Sequence, residues 1–272
     1  MYKQFFDQKV VVITGSSMGI GKSLALLLGS YHAKIVLNGR NKDKLLATEL
    51  ELKNLGYDVI SFTGDVTVEE DCQNLINTAV QHYKKIDVLV NNAGVGVRGT
   101  LAQLSPQVIS AIYNINAVAP VRITQMALPH IKQTKGSIIF ISSLAGLRGL
   151  PQLSVYSAAK MSLTAIAQSI RVENYSDGIH VGLMYVGITE NEKGKMVLDT
   201  EGRQVLLERE KRTFQSTPGQ VALKIAANIS SRKKQTVVGI SGKIFFFLTR
   251  YFPGLFEFLL IRSQKKVNEL YK

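Results

Sequence analysis

The chain passes from strand to turn to helix within Val10-Val-Val-Ile-Thr-Gly-Ser-Ser-Met-Gly-Ile-Gly-Lys-Ser23. The run Val10–Thr14 is apolar and β-branched, too short to cross a membrane, and reads as a buried strand. The turn Thr14-Gly-Ser-Ser-Met-Gly-Ile-Gly21 follows it and opens a helical pattern. In such a turn Gly15 lets the chain bend sharply, Gly19 admits a pyrophosphate close to the backbone, and Gly21 permits tight helix packing. The N–H groups at the head of the helix then face the anion. Away from a strand and a helix the glycines would indicate only an ordinary turn, so the flanking pattern carries the reading.

Beyond this unit the alternation continues. Strands are expected at Lys34–Asn38, Asp58–Thr63, Val88–Asn91, Ser137–Ser142, His180–Tyr185 and Thr236–Ile240. Helical periodicity fills 20–31, 41–55, 68–83, 105–133, 154–175 and 218–231. Apolar strands separated by helices predict an α/β fold, a doubly wound parallel sheet of about seven strands with helices on both faces. Residues 1–242 form one catalytic domain in this reading, and 243–272 an apolar, basic helical extension. The polar stretch Ile188–Ser216 interrupts the alternation and predicts a loop or mobile helix over a site.

The bulk composition fits one sizeable core: 272 residues, 46% hydrophobic and 19% charged. Cys72, the single cysteine, sits among Leu75, Ile76 and Ala79 and predicts a buried structural thiol in a reducing compartment, the cytoplasm. The four histidines are scattered, so no metal site is expected. The N-terminus lacks the pattern of a signal peptide. Residues 203–272 hold 14 Lys/Arg against 4 Asp/Glu, a net +10 of the chain's +13, leaving +3 on the first 202. The basicity belongs to the tail. With no reader motif beside it, nucleic acid is not an expected partner.

Two further stretches carry chemistry. At the end of the second strand, Ile35-Val-Leu-Asn-Gly-Arg40 has Gly39 where an NAD site presents a carboxylate to the ribose 2′-hydroxyl. Arg40 follows, and a guanidinium can hold a 2′-phosphate in a fork, so NADP(H) is expected over NAD(H). In Ser154-Val-Tyr-Ser-Ala-Ala-Lys160, Tyr156 and Lys160 stand roughly one helical turn apart and share a face. A neighbouring cation favours the phenolate, which suits proton exchange with an alcohol or ketone. Ser143, thirteen positions upstream, offers a hydroxyl to the substrate oxygen. Tyr-x-x-x-Lys alone is a common chance spacing.

Taken together these residues resemble the short-chain dehydrogenase/reductase family over roughly residues 8–240. The glycine turn, Asp65-Val66, Asn91-Asn-Ala-Gly94, Asn116 in Asn114-Ile-Asn-Ala117, and Ser143, Tyr156 and Lys160 match its motifs in order. The resemblance implies a Rossmann-type oxidoreductase that moves hydride between NADP(H) and a carbonyl or secondary alcohol. It assigns Tyr156 as general acid/base, Ser143 as a hydrogen-bond donor to the substrate oxygen, Lys160 as support for the tyrosine and contact to the nicotinamide ribose, and Asn116 as holder of a relay water. The cofactor contacts it implies run through Gly15, Ser16, Ser17, Gly19, Ile20 and Gly21 in the turn, and Asn38 and Arg40 after the second strand. Asp65 and Val66 lie on the adenine side, Asn92, Ala93 and Gly94 on the adenosine ribose side. Tyr156, Lys160 and the Ile188 backbone complete the nicotinamide end.

One departure stands out. After the sixth strand the family has Pro-Gly and then threonine, whereas this chain has Tyr185-Val-Gly-Ile-Thr-Glu-Asn191, with Asn191 near the threonine position. The tail is the other: Lys243-Ile-Phe-Phe-Phe-Leu-Thr-Arg250 through Arg262, then a polar Lys265–Lys272 end, where related acyl-carrier-protein reductases have a short tetramer-building terminus. Arg250, Pro253, Gly254 and Glu257 interrupt any span, so two short amphipathic helices hinged at Pro253-Gly254 are expected. Three placements stay open: packing on its own domain or a partner copy over the substrate mouth, lying on an anionic membrane with Arg232, Lys233, Lys234, Lys243 and Arg250 toward headgroups, or binding an acidic partner. A homo-oligomer, dimer or tetramer, is expected. The substrate pocket is expected from Val95–Thr100, Ala145–Leu153 and the loop after Tyr185, with Leu144, Leu147, Leu150, Leu153 and Met184 making it apolar. That implies a hydrophobic ketone or alcohol, lipid-, steroid- or 3-oxoacyl-like. The alternative class is a non-catalytic dinucleotide sensor, a type that usually lacks the catalytic tyrosine or lysine this chain keeps.

Overall fold

The computed structural model describes residues 2–190, 196–207 and 215–262. A short helix α1 (Tyr2–Phe6) precedes β1 (Val10–Ile13), α2 (Gly19–Gly29), β2 (Lys34–Gly39), α3 (Lys42–Asn54), β3 (Val59–Thr63), α4 (Glu69–Tyr83) and β4 (Val88–Asn91). Then come α5 (Pro106–Tyr113), α6 (Ala119–Gln133), β5 (Ser137–Ser143), α7 (Ser154–Glu173) and β6 (His180–Val186). A hairpin of β7 (Met196–Leu198) and β8 (Gln204–Leu206) is followed by α8 (Pro218–Ser230), β9 (Gln235–Val237), α9 (Ile240–Tyr251) and α10 (Pro253–Arg262).

Seven strands form one parallel sheet in the order β3-β2-β1-β4-β5-β6-β9. The chain leaves β1 in one direction for β2 and β3, then returns to place β4 on the other side. This reversal opens a crevice at the carboxyl ends of β1 and β4. All four residues of β1 are buried, and their alternation divides them between two cores. Val11 and Ile13 join Leu24, Leu28, Leu45, Val221 and Ile225 of α2, α3 and α8. Val10 and Val12 join Leu75, Ile76, Ile123, Ala127 and Leu163 of α4, α6 and α7. Both faces of the sheet are therefore dry, which is why its strands show no polar alternation. Cys72 is buried in the second core; its thiol donates to the Val66 carbonyl (3.1 Å), and burial pushes it up to about 11.

Four expectations need correction. The helical pattern 105–133 is not one helix: α5 and α6 are separated by a π-turn over Asn114–Val118, in which the Ala119 N–H bonds the Asn114 carbonyl. Pro120 is the physical reason, because it has no N–H for the Asn116 carbonyl and its ring crowds that oxygen. Second, the stretch 188–216 is neither loop nor helix at 196–206 but an antiparallel hairpin, with Val97 bridging to Leu198. Third, the last strand ends at Val237, and Ile240 already opens α9, since Gly239 at φ +80° turns the chain. Fourth, Met184 is fully buried in the first core beneath the sheet and lines no pocket, because β6 points it away from the crevice.

Candidate active site

The crevice is built on braces that the glycines make possible. Gly15 has φ +61°, and a Cβ there would lie 2.8 Å from the Ala93 Cα, so the turn presses directly on the segment after β4. The Thr14 hydroxyl accepts from the N–H groups of Asn92 and Ala93 (both 3.0 Å). The Asn92 amide donates back to the Thr14 and Gly15 carbonyls (2.9 and 2.8 Å). Asn92, expected at the adenosine ribose, thus spends its side-chain donors on holding the turn. The Ser16 hydroxyl is buried between β1 and β2, donating to the Ile13 carbonyl (2.8 Å) and accepting from the Asn38 N–H (2.9 Å). Asn38 in turn donates its amide to the carbonyls of Phe62 and Gly64.

Whether a dinucleotide fits this turn is tested by two features. At Gly19 (φ +60°) nothing lies within 4 Å of where a side chain would begin, leaving open space at the head of α2. Met18, the residue before that helix, supplies no side-chain cap to its first N–H groups, and the first turn holds no acidic residue. Open space at the head of a helix with no acidic residue in its first turn suits a phosphate. At the end of β2, Gly39 lies against Ser17: a Cβ would come 3.2 Å from the Ser17 hydroxyl, so a carboxylate is excluded without displacing that side chain. Arg40 pairs with Asp65 at 3.4 Å, and the same carboxylate accepts from Thr67.

The candidate proton-handling groups come from three elements. Tyr156 and Lys160 stand on successive turns of α7, and Tyr156 packs partly buried against Val97, Val108, Ile112 and Val155. Lys160 is 5% exposed, and its ammonium donates to the Ile141 carbonyl of β5 (3.0 Å). Burial lowers it to about 8. A charged lysine in so dry a position is costly, and a structural role alone would not require one. Ser143 ends β5, and its hydroxyl accepts from the Ala145 N–H (3.2 Å).

Asn116 reaches the site through the π-turn. Its amide donates to the carbonyls of Val95 (2.9 Å) and Ile112 (3.0 Å). Its Oδ1 is buried without a hydrogen-bond partner among the described residues. A Cβ on Gly94 would lie 2.7 Å from that oxygen and 3.2 Å from the Lys160 ammonium nitrogen, so both atoms press on this glycine and leave no room for a side chain. An unpaired buried acceptor close to a cation suits a water or a ribose hydroxyl.

The sequence did not flag several positioning groups. The Ser142 hydroxyl donates to the Lys160 carbonyl (2.9 Å), and a side chain on Gly146 would meet both, so these two residues clamp α7 onto β5. The hairpin was also missed, although Met196–Leu198 and Gln204–Leu206 flank an Asp-Thr-Glu-Gly turn that signals one. It leans on the expected pocket wall: the Leu198 N–H donates to the Gly96 carbonyl (3.0 Å) and the Ser105 N–H to that of Thr200 (3.0 Å). The Gly99 N–H bonds the Gln152 carbonyl (3.1 Å), joining 95–100 to 145–153. Ile188 is partly exposed, its carbonyl accepting from the Ser216 N–H; Asn191 lies outside the described residues.

The family model described as short chain dehydrogenase matches residues 9–202, which includes the glycine turn, Arg40, Asp65, Asn92, Asn116, Ser143, Tyr156 and Lys160. The chain belongs to the short-chain dehydrogenase family. Among curated relatives of this short-chain dehydrogenase, 11-beta-hydroxysteroid dehydrogenase-like 4A of Arabidopsis thaliana is 36% identical over 185 residues, covering 67% of this chain and 62% of the relative. The 3-oxoacyl-[acyl-carrier-protein] reductase FabG of Thermotoga maritima is 31% identical over 240 residues, covering 87% and 97%. The chain spans less than two thirds of the length of the Arabidopsis hydroxysteroid dehydrogenase-like relatives it matches, between 54% and 62%. Among solved structures, a metagenomic short-chain oxidoreductase in complex with NADP superposes with a TM-score of 0.71 at 28% identity, covering 86% of this chain and 97% of that one. An enzyme of the same family from Burkholderia phymatum, in complex with NAD, reaches a TM-score of 0.80 at 21% identity over 92% and 95%, a likeness of fold.

Proposed function

We propose that this protein is an NADP(H)-dependent oxidoreductase that interconverts a hydrophobic ketone and its secondary alcohol. The observation that carries the reading is the buried Lys160 ammonium beside the unpaired Asn116 Oδ1, on the helix that bears Tyr156. When bound, the nicotinamide supplies or accepts the hydride. Tyr156 gives its hydroxyl proton to the oxygen that gains charge in reduction and takes it back in oxidation. Ser143 donates a hydrogen bond to that same oxygen, where charge develops in the transition state. Lys160 holds positive charge close to the phenol and offers its remaining N–H groups to the ribose. Asn116 accepts, at its free Oδ1, a hydrogen bond from a water that passes the proton onward.

For the cofactor, Gly15, Ser17, Gly19, Ile20 and Gly21 would bear on the pyrophosphate, and Asp65, Val66, Asn92, Ala93 and Gly94 on the adenosine. Arg40 supports NADP(H), because it ends the β2 segment beside a Gly39 that leaves no carboxylate to repel a 2′-phosphate. It would exchange its partial grip on Asp65 for that phosphate. Leu144, Leu147, Leu150 and Leu153 favour an apolar substrate, and a homo-oligomer fits the family. The hydroxysteroid and 3-oxoacyl names among the relatives favour a lipid-like carbonyl. A steady-state screen of hydrophobic ketones with NADPH and with NADH tests the reading. Turnover of at least one such ketone with a lower KM for NADPH is expected; consumption of neither cofactor with any ketone would favour a dinucleotide sensor.

A further inference from the structure

The tail helices carry apolar residues on their inner side and a second apolar stripe open to water. On α9, Ile240, Ile244, Phe247 and Tyr251 recur at helical spacing and are 79, 56, 52 and 65% exposed. The opposite face does the packing: Gly242 lies against Val237 and Leu144, and Phe246 lies 6.4 Å from the Tyr185 ring. α10 is open over more of its surface: Leu255, Phe258 and Leu259 form one exposed stripe and Ile261 is exposed beside Glu257, which pairs with Arg148, while Phe256 and Leu260 are partly buried. Phe247 contacts both Tyr251 and Phe252, so the two stripes meet at the bend. An outward stripe of this length is not the scatter of single apolar residues that any surface shows.

What covers it follows from charge and shape. At about 100° per residue, Lys243 and Arg250 sit roughly 70–90° around α9 from the centre of its stripe, at its border. Arg262 ends α10 stacked over Phe258 at 4.6 Å. Residues 243–272 hold six Lys/Arg against two Asp/Glu. A second copy of this chain would bring like charge to like charge, whereas an anionic surface meets the opposite sign. No described helix is long and apolar enough to cross a membrane, and α9 and α10 are bent by 113°. Their lengths, about 18 and 15 Å at ~1.5 Å per residue, fall well short of a ~30 Å hydrocarbon core. Short helices with an apolar face and a basic border lie in the interface.

We propose that α9 and α10 dock on an anionic lipid bilayer, with the two stripes among the acyl chains and Lys243, Arg250 and Arg262 among the headgroups. Arg232, Lys233 and Lys234 do not share this surface. They precede β9 at the amino-terminal edge of the sheet, where the Arg232 guanidinium is held by the carbonyls of Lys135 and Gly178. Because the inner faces of α9 and α10 rest on Leu144 and Arg148, docking turns the segment after Ser143 toward the lipid. On the oxidoreductase reading, the substrate class is then a carbonyl compound dissolved in the bilayer.

Flotation of the full chain with vesicles tests the dock without reference to activity. The protein is expected to float with phosphatidylserine-containing vesicles and to stay down with phosphatidylcholine alone. Each basic side chain contributes about fivefold in affinity, so Lys243→Glu with Arg250→Glu lowers binding at least tenfold. Ile244→Glu with Phe247→Glu does the same at unchanged Tm, since both side chains are half exposed. Failure of the unaltered protein to float, equal flotation of either double variant, or a dimer that the stripe variant converts to monomer without any vesicle binding would each overturn the proposal. With binding established, turnover of a bilayer-dissolved ketone falls in the stripe variant and that of a water-soluble ketone does not, and an equal fall of both would overturn the link between docking and substrate; absence of turnover of either ketone by the unaltered protein, with vesicle binding intact, would fault the oxidoreductase reading instead.

Discussion

Lys160→Met should make the protein more stable while removing its proposed activity. The wild-type ammonium is buried at 5% exposure, and burial depresses it from 10.5 to about 8. At roughly 1.4 kcal/mol per unit, the folded state bears about 3 kcal/mol of cost at pH 7 for keeping that charge. Against this stands the hydrogen bond to the Ile141 carbonyl, about 1 kcal/mol net. Methionine keeps the apolar stem and discards the charge, so the variant gains about 2 kcal/mol in the cofactor-free protein at pH 7. The sign with pH is definite. Between about 8 and 10.5 the unfolded chain holds a proton that the folded lysine has released, so wild-type stability rises with pH across that window. By pH 9.5 the cost has shrunk to about 1 kcal/mol, and the advantage of the variant has nearly vanished. Urea unfolding of both proteins at pH 7 and pH 9.5 measures this directly. A variant less stable than wild type at pH 7, or a difference that does not change with pH, would refute the burial argument.

Arg40→Ala should raise the KM for NADPH by about 10- to 100-fold while leaving that for NADH within about twofold, because only a 2′-phosphate engages the guanidinium as a charge-assisted partner. Equal effects on both cofactors in steady-state kinetics would remove Arg40 from that role. His180→Gln addresses acid stability. His180 is held down to about 4 by burial, eased by the Lys233 carbonyl it bonds at 2.9 Å, with Arg232 and Arg171 lowering it further. Its folded pKa lies below the unfolded 6.5, so stability is intact above that value and lost as pH falls toward 4, by roughly 3 kcal/mol. Urea midpoints of the glutamine variant should fall less steeply between pH 6.5 and 4.5; an equally steep fall would place the acid sensitivity elsewhere.

The sheet was legible because burial on both faces leaves a simple mark. Runs such as Val10–Ile13 and Ser137–Ser143 must be apolar along their whole length, and turn glycines punctuate them. The proposed proton-handling pair stood out for another reason: Tyr156 and Lys160 lie one turn apart on α7, and the glycine turn, Asn91–Gly94 and Asn116 precede them in order. What escaped was information spread across the fold. The π-turn at Asn116 follows from Pro120 four positions later, a local signal hidden inside a long helical period. The inward commitment of Ser16, Asn38 and Asn92 depends on partners 22 to 78 positions away, so each looked like a cofactor contact and is also a brace. The hairpin at 196–206 has strands of three residues and leaves Met196, Val205 and Leu206 exposed, so no apolar-polar alternation marks it. Met184 looked like pocket lining from its position near the end of β6, and strand parity sent it to the core instead.

The claim on which the account rests is that Tyr156 moves the proton. Tyr156→Phe removes one oxygen from a partly buried ring and leaves the glycine turn, Arg40 and Lys160 untouched. Pre-steady-state and steady-state measurements on this single variant, with NADPH and the best ketone found, are expected to show NADPH binding within about threefold of wild type and turnover lower by at least a thousandfold, the scale of a lost acid/base group. Turnover within tenfold of wild type, with binding equally intact, would contradict the account.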